Sequence, residues 1–420
     1  MNLALLLHIY QPPIQESKAV KEIAQSCYIP LIKSIKNNQH IKLTLNMPLS
    51  LVYQLHVNGF EKLISDIKDL YESDRLELTS CAAYHPILTK IPPTLAEKEI
   101  ILNEYGLGYY FGKNKGFEGE EAILVKNING FFPPEMAVNQ DLLKLLDGMG
   151  YQWVVLDETA IPGYTRASDY YPVYNFPDLN IKAVCRHKGM SDFLSFKRDT
   201  NVEDLAKVIL ELSQNGQSLV LGLDGEFFGH HFDEGMFLFE AFVRKILSLG
   251  INLTTVSELV EKSEEKAISA ISESTWGTSA ERMIEGDIYT LWDVPGSKIH
   301  TLLWEILAKV AQEADFGAHK DPAKNLYDYV TFPVWDLEEL NRLPDVSLKN
   351  KIYQEVLLLQ CLSSDQFWWS SNVSVNGKVM FSPLFVQRSL ELYRLYATVT
   401  QNQDLLNFIN IKAQEIAALL

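Results

Sequence analysis

The first 260 residues or so alternate short apolar runs with longer amphipathic stretches, and this pattern narrows the fold more than any other feature of the chain. The apolar runs are Leu3–Leu7, Lys42–Asn46, Leu76–Ser80, Trp153–Leu156, Leu219–Leu223 and Asn252–Thr255. Their lengths suit buried strands. The stretches Gly59–Tyr71, Gln140–Met149, Val202–Gln214 and Met236–Leu249 have helical periodicity, and Gly150, Gly216 and Gly250 follow three of them as C-terminal stops. Strands alternating with helices predict parallel βα units. About seven or eight such units close into a barrel of roughly 250 residues. The connection from about Ile161 to Phe193 is long and rich in Tyr, Pro and Asp, and reads as an elaborated βα loop.

After about Ser263 the strand signal fades. Ile299–Ala314, Leu348–Leu362, Pro383–Thr398 and the last twenty residues read as amphipathic helices. The expected organisation is a catalytic barrel over 1–262 and an α-helical domain over 263–420. There is no internal repeat and no low-complexity segment.

The chain carries 54 acidic and 37 basic residues, a net charge of −17, with no Lys/Arg run. Such a surface repels phosphate backbones and anionic membranes, so neither nucleic acid nor a membrane is an expected partner. Neutral sugars remain. The four cysteines (Cys27, Cys81, Cys185, Cys361) lie far apart and give neither a zinc spacing nor a disulfide framework. The apolar run at the N-terminus ends after Leu7 and no later segment reaches membrane-spanning length, so the expected location is the cytoplasm. Oligomeric state leaves no trace in the sequence.

Polar residues follow the strand patterns in one consistent place. His8 follows Leu3–Leu7, Tyr84-His85-Pro86 comes after Leu76–Ser80, Asp157-Glu158 follows Trp153–Leu156, and Asp224-Gly225-Glu226 follows Leu219–Leu223. In a parallel barrel all strands open their carboxyl ends on one face, where active sites are built. Glu135 ends the run Gly130-Phe131-Phe132-Pro133-Pro134-Glu135, in which two prolines stiffen the backbone before a carboxylate. Rigid presentation suits a nucleophile. The same Glu also reads as a helix N-terminal residue favoured by the dipole. Asp224 ends an apolar run where an unpaired charge is costly, although an Asp before Gly is also common turn chemistry. Two carboxylates at two strand ends are what a retaining glycosidase requires, held about 5–5.5 Å apart. His8 and His85 are candidates to bind sugar hydroxyls, and His230 or His231 to belong to a rim loop. Trp276, Trp368 and Trp369 are candidate ring-stacking platforms, with burial in a core as the alternative.

At these residues the sequence resembles glycoside hydrolase family 57, over about residues 3–372. Five ordered motifs carry the resemblance: His8-Ile9-Tyr10-Gln11-Pro12; Leu76-Glu77-Leu78 leading to Tyr84-His85-Pro86; Phe132-Pro133-Pro134-Glu135; Asp224-Gly225-Glu226-Phe227-Phe228-Gly229; and Thr254-Thr255-Val256-Ser257-Glu258. Asp365-Gln366-Phe367-Trp368-Trp369 matches a run typical of the family's helical domain. The family contains α-amylases, 4-α-glucanotransferases, α-glucan branching enzymes and amylopullulanases. The resemblance implies an α/β fold, an incomplete (β/α)7 barrel followed by an α-helical C-terminal domain. It implies Glu135 as nucleophile and Asp224 as general acid/base of a double displacement on α-glucans or malto-oligosaccharides. Asp224 would be kept protonated by the negative charge of Glu135. Gln11, Phe132, Glu226, Phe228, His230, Asp365 and Trp368 join His8, His85 and Trp276 as expected substrate-binding residues. No metal or organic cofactor is implied. The chain departs from the family at Tyr10, where a second histidine is common, at Phe132, often Trp, and at His231-Phe232, where tryptophans are usual. The rival readings are a metal-dependent carbohydrate deacetylase-like enzyme and a non-catalytic α-glucan-binding protein. The first needs a His-x3–4-His pair that adjacent His230-His231 do not supply, and the second calls for loss of a carboxylate.

Overall fold

The computed structural model describes residues 1–112, 128–163, 170–196, 201–214, 218–317, 333–375 and 378–420. The described residues form two compact units. One consists of Met1–Gln11, Gln15–Cys81 and Lys126–Trp276, the other of Pro12–Ile14, Ala82–Val125 and Gly277–Leu420.

The first unit is built on seven parallel strands joined in a ring. β1 (Asn2–His8) pairs with β2 (Leu43–Asn46), and β2 with β3 (Leu76–Thr79). Ser80 N donates to Gly130 O (2.9 Å) and Ser80 O accepts from Phe132 N (2.9 Å), which joins β3 to the two-residue β4 (Gly130–Phe131). β4 pairs with β5 (Trp153–Asp157). A hairpin of β6 (Val173–Phe176) and β7 (Leu179–Arg186) then places β7 parallel to β5. β8 (Leu219–Asp224) returns to β1 along its whole length. Between β7 and β8 the His187 amide donates to Val220 O (2.8 Å). The Tyr170 hydroxyl bridges the same join, accepting from Val220 N (3.0 Å) and donating to Cys185 O (3.0 Å). Together with the helical second unit, this is the expected α/β architecture of an incomplete (β/α)7 barrel and an α-helical domain.

Alternation along the strands turns Ala4, Leu6, Val155, Val184 and Val220 into one buried cluster with Phe132, Met136 and Trp153. Helix Val256–Lys262 adds Val256, Leu259 and Val260 to that cluster; Thr255 caps it, its side chain accepting from Glu258 N at 3.3 Å. Each buried aliphatic side chain contributes about 1.5–3 kcal/mol.

Five of the expected strands are ring strands. The sixth, Asn252–Thr255, forms β9 (Asn252–Thr254), which lies outside the ring and pairs with only the first residues of β1. The connection expected as a loop over 161–193 instead contains β6 and β7. Ile181, Ala183 and Cys185 are buried while Asn180 and Lys182 are not, the period-2 pattern of a strand with one covered face. The helix expected over Gly59–Tyr71 runs Glu61–Glu72, because Gly59, at φ 83°, terminates the preceding helix Leu49–Val57. The other three helical patterns appear as Gln140–Gly148, Val202–Gln214 and Gly235–Ser248. Gly216 lies outside the described residues.

The second unit is mainly helical. Its longer helices are Pro93–Phe111, Lys298–Gly317, Val346–Cys361, Pro383–Val399 and Gln403–Ala417, and Asp365–Trp368 forms a short helix. Leu303, Ile306, Val310, Ile352, Leu359, Val386 and Ile409 are buried in it. All four cysteines are free and buried. No described helix is long and apolar enough to cross a membrane.

Candidate active site

The strand registers bring polar residues to the carboxyl end of the ring. His8 stands opposite Asn46 on one side and Asp224 on the other, Asn46 stands opposite Thr79, and Asp157 opposite Arg186. Each of these residues is the last of its strand.

His8 is almost fully enclosed. Its Nδ1 lies 2.6 Å from Asn46 Oδ1, while Asn46 Nδ2 donates to Thr79 Oγ1 (2.8 Å). Because the Asn46 oxygen faces the ring, Nδ1 carries the proton and Nε2 is the acceptor nitrogen. Burial lowers the His8 pKa to about 4, with the Asn46 hydrogen bond acting in the opposite direction, so the imidazole is neutral at physiological pH. Phe132 stacks on it at 4.7 Å and Trp276 meets it edge-on at 6.0 Å.

Glu135 follows Pro133-Pro134 with φ 58° and ψ 17°, in the left-handed region. That conformation costs a non-glycine residue on the order of 1–2 kcal/mol and persists where neighbours fix it. The neighbours here are on the segment Ser274–Trp276. Val138 N donates to Ser274 O (3.0 Å), Ser274 N to Val138 O (3.1 Å), and Trp276 N to Glu135 O (3.0 Å). Trp276 Nε1 donates to Glu135 Oε2 (3.0 Å). The side chain of Glu135 is half-buried.

Asp224 retains some exposure, yet burial raises its pKa to about 6, and the Arg186 guanidinium pulls it down. Burial is the larger cause, rather than the neighbouring anion expected from the sequence. Gly225 lets the following turn lie against β1, since a Cβ there would come within 2.5 Å of Ile9 Cγ2. Glu226, buried, accepts at Oε1 from Tyr28 OH (2.5 Å) and Tyr10 N (2.8 Å), and Gln11 Nε2 donates to the same Tyr28 hydroxyl (3.1 Å). Burial first, then the Asp224 charge, raises the Glu226 pKa to about 8. Glu226 and Gln11 thus tie the segment after β1 in place.

Three neighbouring charges were not among the expected site residues. Asp157, fully buried, accepts from Arg186 Nε (2.7 Å) and faces Lys188 Nζ at 3.3 Å. Arg186 lies over the Trp276 ring, 5.7 Å from its centroid, and donates to Gly222 O (2.9 Å). Arg186 and Lys188 fall in the segment read as a loop. The alternation Ile181–Cys185 running into Arg186 is the signal that would have found them.

Of the remaining expected residues, Phe228 is wholly enclosed against Phe227 and Phe239. His230 and His231 are exposed, their rings tilted to one another with centroids 5.0 Å apart. His85, Asp365 and Trp368 belong to the second unit. There His85, at φ 60°, lies 3.3 Å from Ser364 Oγ, Asp365 accepts from Ser363 Oγ (2.5 Å), and Trp368 is half-buried beside Trp292 at 6.0 Å. Among the described residues no group of three or more His, Cys, Asp or Glu is placed to hold a metal ion.

The sequence model of glycosyl hydrolase family 57 matches residues 5–272, which include nearly all of the ring and both candidate carboxylates. The chain belongs to glycoside hydrolase family 57. It is therefore an enzyme of the glycoside hydrolase and glucanotransferase type. Solved structures share its fold at low identity. The exo-type maltose-forming amylase of Pyrococcus sp. ST04 superposes with a TM-score of 0.70 at 14% identity, over 100% of this chain and 83% of that one. The family 57 branching enzyme of Pyrococcus horikoshii gives 0.66 at 14%, over 100% and 96%. The 4-α-glucanotransferase of Thermococcus litoralis gives 0.63 at 16% identity, over 96% of this chain, which spans only 58% of that protein. No curated protein matches the chain in sequence.

Proposed function

We propose that this family 57 enzyme cleaves or transfers α-glucans by double displacement, with Glu135 as nucleophile and Asp224 as general acid/base. The observation that carries the reading is the contrast between the two carboxylates. Glu135 accepts an indole hydrogen bond that fixes its carboxyl, whereas burial favours the protonated form of Asp224. Protonated Asp224 donates to the glycosidic oxygen as Glu135 attacks the anomeric carbon. The glycosidic bond breaks and a glucosyl ester forms on Glu135. Asp224 then takes a proton from water or a sugar hydroxyl, whose oxygen displaces the ester.

Neutral His8, with Nε2 as acceptor, is suited to receive a hydrogen bond from a sugar hydroxyl. We propose the same substrate-contact role for Gln11, Phe132, Glu226, Phe228, His230 and Trp276 of the first unit; for the second unit taken by itself, we propose His85, Asp365 and Trp368 as glucan contacts. For the fully buried Phe132 and Phe228 that contact requires side-chain movement, and without it they act as packing behind the site. The reaction as written uses no metal or organic cofactor. The relatives' names, which speak of amylase, branching and glucanotransferase activity, favour α-glucan as substrate.

Incubation with maltoheptaose, followed by chromatography of all products, tests the proposal. Hydrolysis yields only shorter chains, and transfer yields longer ones as well. Proton NMR of the first-formed product should show the α-anomer. A Glu135→Gln protein that keeps a tenth of wild-type turnover, or a β-anomeric first product, removes the assignment.

A further inference from the structure

We infer that Asp157 is a positioning residue for both proposed catalytic carboxylates: with Arg186 and Lys188 it forms a buried anchor that fixes Trp276 against Glu135 and holds a positive charge beside Asp224. The inference rests on the catalytic assignment above and adds to it a set of residues with their own roles.

Asp157 is fastened at both carboxylate oxygens. Its Oδ2 accepts from Arg186 Nε (2.7 Å) and NH2 (2.7 Å) and pairs with Lys188 Nζ (3.3 Å). Its Oδ1 accepts from Thr159 N (3.1 Å) and Thr159 Oγ1 (2.9 Å). The Arg186 and Lys188 charges hold its carboxyl below the usual range against the effect of burial, so it stays an anion. A carboxylate with both oxygens occupied this way has no contact left to offer substrate. A buried ion cluster also adds little net stability, because desolvation offsets the attraction. What it supplies is a fixed geometry and a fixed field.

Both cations pass that geometry to Trp276. The Arg186 guanidinium lies over the indole face, and Lys188 Nζ donates to the Trp276 carbonyl. The indole N–H and backbone N–H of Trp276 in turn hold the carboxylate and carbonyl of Glu135. The Ser274–Trp276 segment has further support, since Ser272 N donates to Ala160 O (2.8 Å) just after β5. One buried carboxylate thereby governs the orientation of the left-handed Glu135.

The field acts on Asp224. The Arg186 guanidinium donates to Gly222 O (2.9 Å), two residues before Asp224 on β8, and its charge lowers the proton affinity that burial raises there. The other groups around it are His8 on β1, neutral with a pKa of about 4, and Glu226 on the following turn, protonated below about 8. Asp157 on β5, Lys188 and Asp192, the last 3.5 Å from Arg186 NH1, face Arg186. The Arg186 charge is consequently the cationic partner acting on Asp224, and Asp157 keeps it in place.

Three variants separate these roles. Trp276→Phe keeps the ring but removes the N–H; kcat on maltoheptaose should fall about ten- to hundredfold with KM within about threefold. Arg186→Gln should move the alkaline limb of kcat/KM upward by about one pH unit, and Arg186→Lys should restore it. Asp157→Asn, which loosens both cations under Trp276, should lower kcat about tenfold with KM within about threefold. The carboxyl carbon of Asp224, followed by NMR in aspartate-labelled protein and assigned with Asp224→Asn, reads the same shift without turnover. A Trp276→Phe protein with kcat within twofold of wild type, or an Asp224 titration unmoved in Arg186→Gln, overturns the inference. Failure of the underlying assignment has a different signature: wild type inert on α-glucans, or Glu135→Gln as active as wild type.

Discussion

His8 and Asn46 form a polarised pair at the mouth of the ring, with Nδ1 2.6 Å from Oδ1 and the Asn46 amide committed on its other side to Thr79. The amide orientation fixes the imidazole tautomer, and burial fixes its charge. Asn46→Asp would place an anion where the amide oxygen stands and favour the imidazolium. The His8 pKa should rise from about 4 by at least two units, read from its ring protons by NMR. Activity at pH 6 should drop at least about twofold, as Nε2 becomes a donor in half or more of the molecules. An unmoved titration would mean that Asn46 does not control His8.

Asp224→Asn removes the proton donor but leaves Glu135 in place. Natural glucans, whose leaving group needs protonation, should lose at least a thousandfold in turnover. An activated aryl α-glucoside should still form the glucosyl-enzyme, and azide should accelerate its turnover by attacking the ester without base assistance. Mass spectrometry of the trapped protein should place the added hexose on Glu135. Equal losses on both substrates with no azide effect would contradict the acid/base role.

The pH dependence follows from the sign of the Asp224 shift. A general acid must be protonated, so kcat/KM is highest below its pKa and falls as pH rises through it. With Asp224 raised to about 6, the alkaline limb on maltoheptaose should lie near pH 6, with about a tenfold fall per unit beyond it. A limb near pH 4 would mean that burial does not raise this carboxyl in the active enzyme.

Much of this architecture is legible in the sequence because buried parallel strands are continuous apolar runs. Leu3–Leu7, Trp153–Leu156 and Leu219–Leu223 announce themselves, and the polar residue after each marks the site face. β4 does not, because two residues carry no period, and Glu135 was found through its prolines and family motif instead. β7 was missed because its outer half alternates Asn180 and Lys182 with apolar residues inside a segment rich in loop formers. With it went Arg186 and Lys188. Trp276 stands out in the sequence as an aromatic, but its hydrogen bond to Glu135 spans 141 positions, and no local pattern encodes that.

In the second unit, Trp368 is half-buried beside Trp292, while its neighbour Trp369 is nearly enclosed against Phe385 at 3.8 Å. The pair is therefore divided between an available ring and a packed one. Trp368→Ala should weaken productive binding of maltoheptaose about tenfold or change product lengths, consistent with loss of one stacking contact of about 1 kcal/mol plus its burial. Trp369→Ala should instead lower the melting temperature. A Trp368→Ala protein that melts much earlier with an unchanged product pattern would make Trp368 a core residue.

Glu226 links the site to stability. Its pKa of about 8, against 4.5 when unfolded, means that the folded protein holds a proton the unfolded chain has released across that interval. The group's contribution is thus fully present below pH 4.5 and is lost as pH rises through about 8. Part of the shift comes from the Asp224 charge, which develops above about pH 6, so the loss steepens there. Glutamine is the nearest uncharged mimic of the protonated acid, and its carbonyl oxygen can accept from Tyr28 and Tyr10 as Oε1 does. Glu226→Gln should therefore match wild type in unfolding free energy near pH 4.5 and exceed it by ~2 kcal/mol at pH 8. That is under half the ceiling set by about 1.36 kcal/mol per pKa unit. Denaturant unfolding at both pH values measures the difference. A gap of the same size at both would point to hydrogen bonding or packing, and the absence of any gap at pH 8 would show that Glu226 ionises as readily in the folded protein as in the open chain.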